Sequence, residues 1–439
     1  MDDCQIPRRE RAIARRKCWL AKVTAIPVFI WAVRINIEYF SRLFPRWNTY
    51  VSKSVVSHNP NIHLESWQRK DLLVRAGCSC FLIKRLLKIG DRTIRNQFRN
   101  PNRFVRAILS RYVSDNENHN LPYVTTMAGH SKGVLSLAFH PTLPLLITGS
   151  SDNTAKLWRA LPYGSTSGMT CMATMQGHST SVLSVAFHPI FPLLATGSTD
   201  KTAKLWRFSP DYTKTTCVAT LAGHSGNVFS VAFHPTAPLL ATGSYDCTAK
   251  LWRFLPNGSE ATCVAILNGH GNSISSVVFH QTLPLLATAS NDMTVKLWRF
   301  TPDSSTSDMT CVTTLPGHSS SVLSVAFHAT LPLLATGSSD NTAKLWRFLP
   351  DRSEATYVAT LTGHRGSVFS VAFHPTSPLL ATGSFDNTAK LWRFSPDGST
   401  VNCVETLEGH NCYVYSVAYH PTAPLLATGS NDMTVKMWR

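Results

Sequence analysis

Three sets of side chains in this sequence have types and spacings that chemistry could use. The first is a histidine, a hydroxyl and a carboxylate, His130, Thr148 and Asp152, followed by Trp158. An imidazole base, a hydroxyl nucleophile and an orienting carboxylate are the parts of an acyl-transfer triad. The second set is cysteine. Cys4, Cys18, Cys78 and Cys80 could supply thiolates to zinc, but their spacing matches no established metal pattern. Cys171, Cys217, Cys263, Cys311 and Cys403 each stand six residues before a Gly-His pair. Thiols one structural unit apart exceed the roughly 7 Å Cα separation a disulfide tolerates. They read as small buried hydrophobes in a reducing compartment. The third set is a histidine after Phe or Tyr: His140, His188, His234, His280, His328, His374 and His420. These could suggest a metal array, but whole repeats separate them, so they read as turn residues.

Repetition decides among these readings. The stretch from Gly129 to Arg159 is written seven times, with 29 residues from the Gly of Gly-His to the Trp in every copy. The triad residues therefore recur as His178, Thr196, Asp200 and Trp206, then His224, Thr242, Asp246 and Trp252, then His270, Thr288, Asp292 and Trp298. They follow again as His318, Thr336, Asp340 and Trp346, as His364, Thr382, Asp386 and Trp392, and as His410, Thr428, Asp432 and Trp438. Seven identical catalytic sites in one chain are implausible. The repeat period runs 48, 46, 46, 48, 46, 46, so the length variation falls after the Trp and marks a loop there. Within a copy, Val-Leu-Ser-Val-Ala-Phe, Leu-Leu-Ala-Thr-Gly-Ser, Ala-Lys-Leu-Trp and Thr-Cys-Val-Ala-Thr-Leu are four short strand-like runs punctuated by turn residues. Four strands per copy without a helix make one propeller blade. Three blades span 140 residues, and Asn291–Lys296 recurs as Asn431–Lys436 at that distance, as a duplicated three-blade block would give.

The repeat resembles the WD-repeat family over residues 121–439. It departs from the family in the dipeptide itself, which is Trp-Arg in all seven copies. The resemblance implies an all-β, seven-bladed propeller that serves as an interaction platform. It also implies that His, Thr, Asp and Trp of each copy form a buried structural network, indole to hydroxyl to imidazole to carboxylate. Ser150 and its equivalents are also present in every copy, so the hydroxyl could be either residue. The copy beginning at Gly409 ends after its third strand, while 122–128 is a spare fourth strand before the first Gly-His. Pairing the two would close the ring and remove exposed edges.

The 439 residues carry a net charge of +17. Residues 1–120 hold 23 Lys+Arg against 9 Asp+Glu; the remainder holds 19 against 16. At 44% hydrophobic and 15% charged, the chain suits packed globular structure rather than disorder. Residues 1–120 read as a basic, mainly helical segment. Its apolar run Val23–Val33 is about half a bilayer span and holds Pro27. It reads as a core-facing helix, with a membrane-interface anchor or a cleaved signal as alternatives.

Specificity must lie where copies differ. Just before the turn Asp stand Tyr245 and Phe385 where the first copy has Ser151; five after each His stand Phe229, Phe369 and Tyr415 where the first has Leu135. Lys132, Arg365 and Tyr413 stand out in the loops after Gly-His. Aromatics with Arg are hot-spot chemistry for protein contacts, although Phe229 and Phe369 could simply fill the channel. The sequence thus points to a non-enzymatic, cofactor-free, intracellular scaffold, monomeric within a larger complex, with cytoplasmic or nuclear residence. The alternatives are a propeller tethered to nucleic acid or an anionic membrane through residues 1–120, and a ubiquitin-ligase substrate receptor.

Overall fold

The computed structural model describes residues 123–160, 169–300, 309–349 and 354–439. The expected N-terminal helices, the Val23–Val33 run and the four candidate zinc cysteines lie outside these residues. The chain divides between Asn118 and His119, and the described residues belong to the second unit.

The strands are short because each β-branched run ends in a turn. The first, β1, is Tyr123–Ala128. Blade 1 then comprises β2 (Val134–Phe139), β3 (Leu145–Ser150), β4 (Ala155–Ala160) and β5 (Met169–Met175), hydrogen-bonded in that order. Blades 2 to 6 repeat it within residues 182–221, 228–267, 274–315, 322–361 and 368–407. Blade 7 holds β26 (Val414–Tyr419), β27 (Leu426–Ser430) and β28 (Thr434–Trp438), and its fourth place is taken by β1. β1 runs antiparallel to β28, with Thr126 opposite Lys436 and Ala128 opposite Thr434.

The core lies between blades. Leu145, Ile147, Leu157 and Met175 of blade 1 pack against Val182, Val185, Phe187, Leu194 and Trp206 of blade 2. The second strand of a blade has a neighbouring sheet on both faces, so β3 is buried along its whole length. Spacing there is tight. A Cβ on Gly149 would stand 2.9 Å from methyl carbons of Val182 and Val185. Ala289 fills that position in blade 4, fully buried.

Two sets of contacts run from blade to blade around the ring. The Ser136 hydroxyl of β2 accepts a hydrogen bond from Val185 N of blade 2 at 3.2 Å. The equivalent bonds use Ser184, Ser230, Ser276, Ser324 and Ser370, and Leu137 N donates to Ser416 at 3.1 Å across the junction of blades 7 and 1. At the other end of the inner strands, each turn histidine lies edge-on to the Phe or Tyr of the next blade. Those ring centroids are 4.9–5.1 Å apart from His140–Phe187 through to His420–Phe139.

Candidate protein-interaction site

In every blade the imidazole, hydroxyl, carboxylate and indole meet. Distances are 2.7–2.8 Å for His Nδ1 to Asp Oδ2 and 2.7–2.8 Å for His Nε2 to Thr Oγ1. Trp Nε1 lies 2.8–2.9 Å from the same Thr Oγ1. The protons follow from donor chemistry. An indole N–H only donates, so Thr148 accepts from Trp158 and donates its own proton to His130 Nε2. His130 Nδ1–H then donates to an ionised Asp152. The carboxylate is saturated: Oδ2 also accepts from Ser131 N at 3.0 Å, and Oδ1 from Thr154 N at 3.0 Å and Thr154 Oγ1 at 2.6 Å.

Ser150 does different work. Its hydroxyl donates to Lys132 O and accepts from Asp152 N, both at 3.1 Å, holding the turn rather than the indole. Thr154 and its equivalents are a further member of the network that the sequence reading missed. The signal was a Thr two residues after every turn Asp.

Burial pulls the His130 pKa below 6.5 even though Asp152 acts to raise it, and the same holds at His178, His224, His270, His318 and His410. Burial acts to raise the Asp152 carboxyl, but hydrogen bonds from Thr154 and His130 outweigh it and hold the pKa at about 2. The resting state is therefore neutral imidazole beside carboxylate. Thr148 has 0% exposure, and its hydroxyl is engaged as both donor and acceptor. A substrate carbonyl has no path to it.

The second set of histidines is turn chemistry. His140 Nδ1 accepts from Thr142 N at 3.2 Å and Leu143 N at 3.0 Å, and the other six copies do likewise. Among the described residues no group of three or more His, Cys, Asp or Glu is arranged to hold a metal ion.

One expectation is overturned. Cys171, Cys217, Cys263, Cys311 and Cys403 are exposed, not buried. They lie on the fourth, outermost strand, an edge with no further strand over it, and Tyr357 in the same slot is also exposed. Composition alone does not distinguish this edge strand from the inner three.

The aromatic candidates fall into two groups at the Gly-His end of the channel. This end is defined by pairing of the loop after Gly-His with the Asp turn, as in Ser151 N to Gly133 O at 3.0 Å. In blade 3, half-buried Phe229 stands 6.2 Å from exposed Tyr245. In blades 6 and 7, four rings form one cluster. Phe385 stacks on Tyr413 at 3.8 Å and 15°, Phe369 lies 4.8 Å from Tyr415 and 6.2 Å from Phe385, and Tyr413 lies 6.2 Å from Tyr415. Phe385 is 45% exposed, while Phe369, Tyr413 and Tyr415 are half-buried. Arg365 and Lys132 are both exposed, in the loops of blades 6 and 1. The structure does not bring the blade 3 pair into this cluster.

A closed ring of seven four-stranded blades, each with a hydrogen-bonded polar network inside, is a β-propeller whose variable surface lies at the loop ends. The family model described as WD domain, G-beta repeat, matches residues 122–159, 169–207, 215–253, 261–299, 309–347, 355–393 and 401–439, and the chain belongs to that family. Propellers of this family are typically non-enzymatic protein-interaction scaffolds. Among curated proteins, coatomer subunit alpha of Saccharomyces cerevisiae is 54% identical over 33 residues, 8% of this chain and 3% of that protein. Coatomer subunit alpha-1 of Arabidopsis thaliana is also 54% identical over 33 residues, with the same shares. The chain thus matches about 3% of the length of these relatives, less than one blade's worth of sequence.

Proposed function

We propose that this protein is a non-enzymatic scaffold that captures a protein partner at the Gly-His end of its channel, on the rim of blades 6 and 7. The observation that carries this reading is the ring cluster Phe369, Phe385, Tyr413 and Tyr415. It gathers four aromatic rings at one place on a ring whose repeated His, Thr and Asp side chains are engaged in the scaffold. Aromatic side chains deliver large contact area at small conformational entropy, and they dominate interface energetics. Affinity capture with wild type and with Phe385→Ala/Tyr413→Ala tests it. The rim variant should lose the principal partner, while Ile190→Ala, exposed in the turn after the first strand of blade 2, should keep it. Identical partner sets for both variants would sink the reading.

A second reading rests on the charge of residues 1–120, 23 basic against 9 acidic, which favours attachment to a polyanionic surface. Such binding should fall steeply between low and physiological salt. Flotation with anionic vesicles, compared with a DNA gel shift, measures it. Salt-independent retention would count against it.

A further inference from the structure

The rim that carries the aromatic cluster adjoins a third blade. Asn431 of blade 7 donates its backbone N–H to Tyr413 O at 2.9 Å. Gly133 of blade 1 lies so close that a Cβ there would stand 3.0 Å from Asn431 Cα. Lys132, next to that glycine, is thus carried beside the Asp turn of blade 7, and Arg365, whose N–H donates to Asp386 Oδ2 at 2.9 Å, stands next to Phe385 in blade 6. Among the described residues, neither the Lys132 ammonium nor the Arg365 guanidinium has an ion-pair or hydrogen-bond partner. The seven turn carboxylates at this end lie mostly under the surface, each within reach of its imidazole. A lysine four residues after each of them, such as Lys156 or Lys390, supplies an offsetting charge. In the described loops of this end, the exposed charged residues are Lys132, Lys201, Arg365 and Glu408.

We infer that the rim of blades 6, 7 and 1 is a docking site for an acidic, extended peptide segment with an apolar anchor. The inference rests on the reading of this rim as the partner surface and specifies the partner's chemistry. Tyr413 covers one face of the Phe385 ring, so the exposed remainder of that ring receives the anchor side chain. The Arg365 fork takes a carboxylate on one side of the anchor in bidentate fashion, and Lys132 takes a second on the other. The chain's own residues 1–120 have the wrong sign to fill this place, with 23 basic residues to 9 acidic. Nucleic acid is the weaker match, because duplex binding draws on roughly six to ten phosphate contacts and the rim offers two flanking cations.

The test pans a phage-displayed random peptide library on the full-length protein, then measures the best synthetic peptides by fluorescence polarisation. Selected sequences should be enriched in Asp and Glu around an aromatic or aliphatic residue. Their affinity should fall about tenfold or more in Lys132→Glu/Arg365→Glu, less in Lys132→Gln/Arg365→Gln, and at least as much in Phe385→Ala. Ile190→Ala should bind unchanged, and melting curves confirm that the charge variants, which alter exposed side chains, stay folded. An empty selection, acid-poor binders, or binders indifferent to the charge variants overturn the inference. It is equally overturned by rim-dependent binding of a labelled oligonucleotide, or by self-association that Arg365→Glu abolishes. Acid-poor binders together with rim-dependent partner capture would remove this inference and leave the scaffold reading standing.

Discussion

At the scale of single residues, the protein is held by histidines that must stay neutral. Burial lowers His140, His188 and His328 to about 4, and it lowers the network imidazoles such as His130 below 6.5. An unfolded chain would protonate each of them near 6.5. As pH falls below that value, the unfolded state binds more protons than the folded state, and stability declines. The carboxylates act with the same sign lower down, since Asp152, Asp246 and Asp292 sit at about 2 against an ordinary value of 3.8. Their contribution is complete above 3.8 and is lost as pH falls towards 2. Thermal melting should therefore show a Tm that is flat above about pH 7, declines from about pH 6.5 to 4, and falls further below 4. A Tm unchanged between pH 7 and pH 4.5 would refute the assignment of neutral buried imidazoles. At this scale the sequence displayed the right residue types. What it left open was which of Thr148 and Ser150 faces the indole, because both are short hydroxyl residues on one strand. Both lie on the same face of β3, and only their place along it separates them, Thr148 opposite the indole and Ser150 at the turn.

At the scale of elements, the seven Asp turns pass through a left-handed residue. Asn153, Asn341 and Asn387 hold φ of 66–71°, a conformation asparagine accepts readily, but Lys201, Cys247, Met293 and Met433 are forced into the same region. Met293 has φ 68° and is 47% exposed, so it gives up little packing if replaced. Met293→Asn should stabilise the protein by up to about 1 kcal/mol in chemical denaturation, since asparagine tolerates the left-handed region that costs other residues roughly 1–2 kcal/mol. A destabilised variant would mean that the methionine side chain contributes contacts the turn depends on. Strands and turns of this kind were legible because alternation and turn residues repeat seven times. The environment of the fourth strand was not. Its Thr-Cys-Val-Ala-Thr-Leu looks like an inner strand by composition, and only its position at the blade's edge exposes Cys217 or Cys263. The aromatic candidates were likewise found by their departure from the repeat, but not their grouping. Phe229 and Phe369 are equivalent in sequence, yet Phe369 meets Tyr415 of the next blade where Phe229 is followed by Ser275.

At the scale of the whole molecule, closure uses the same bonds as every internal junction. Ser416 accepts from Leu137 N at 3.1 Å between blades 7 and 1, as Ser230 accepts from Val277 N at 3.0 Å between blades 3 and 4. Ser416→Ala and Ser230→Ala should therefore lower stability equally, by about 1 kcal/mol each, with matched shifts in Tm. A markedly larger loss for Ser416→Ala would show that the junction of blades 7 and 1 is the weak point of the ring. The serine was visible in every copy, but a side chain bonding into the neighbouring blade leaves no trace in a single repeat's pattern. The four-ring cluster has a related consequence for counting. Blades 3 and 6 carry aromatics at the same two positions, Phe229 with Tyr245 and Phe369 with Phe385, while blades 4 and 7 differ in the loop, Ser273 and Ser275 against Tyr413 and Tyr415. Among the described residues, seven nearly interchangeable units thus present one four-ring aromatic surface, so a partner captured there, as proposed, would bind one to each ring.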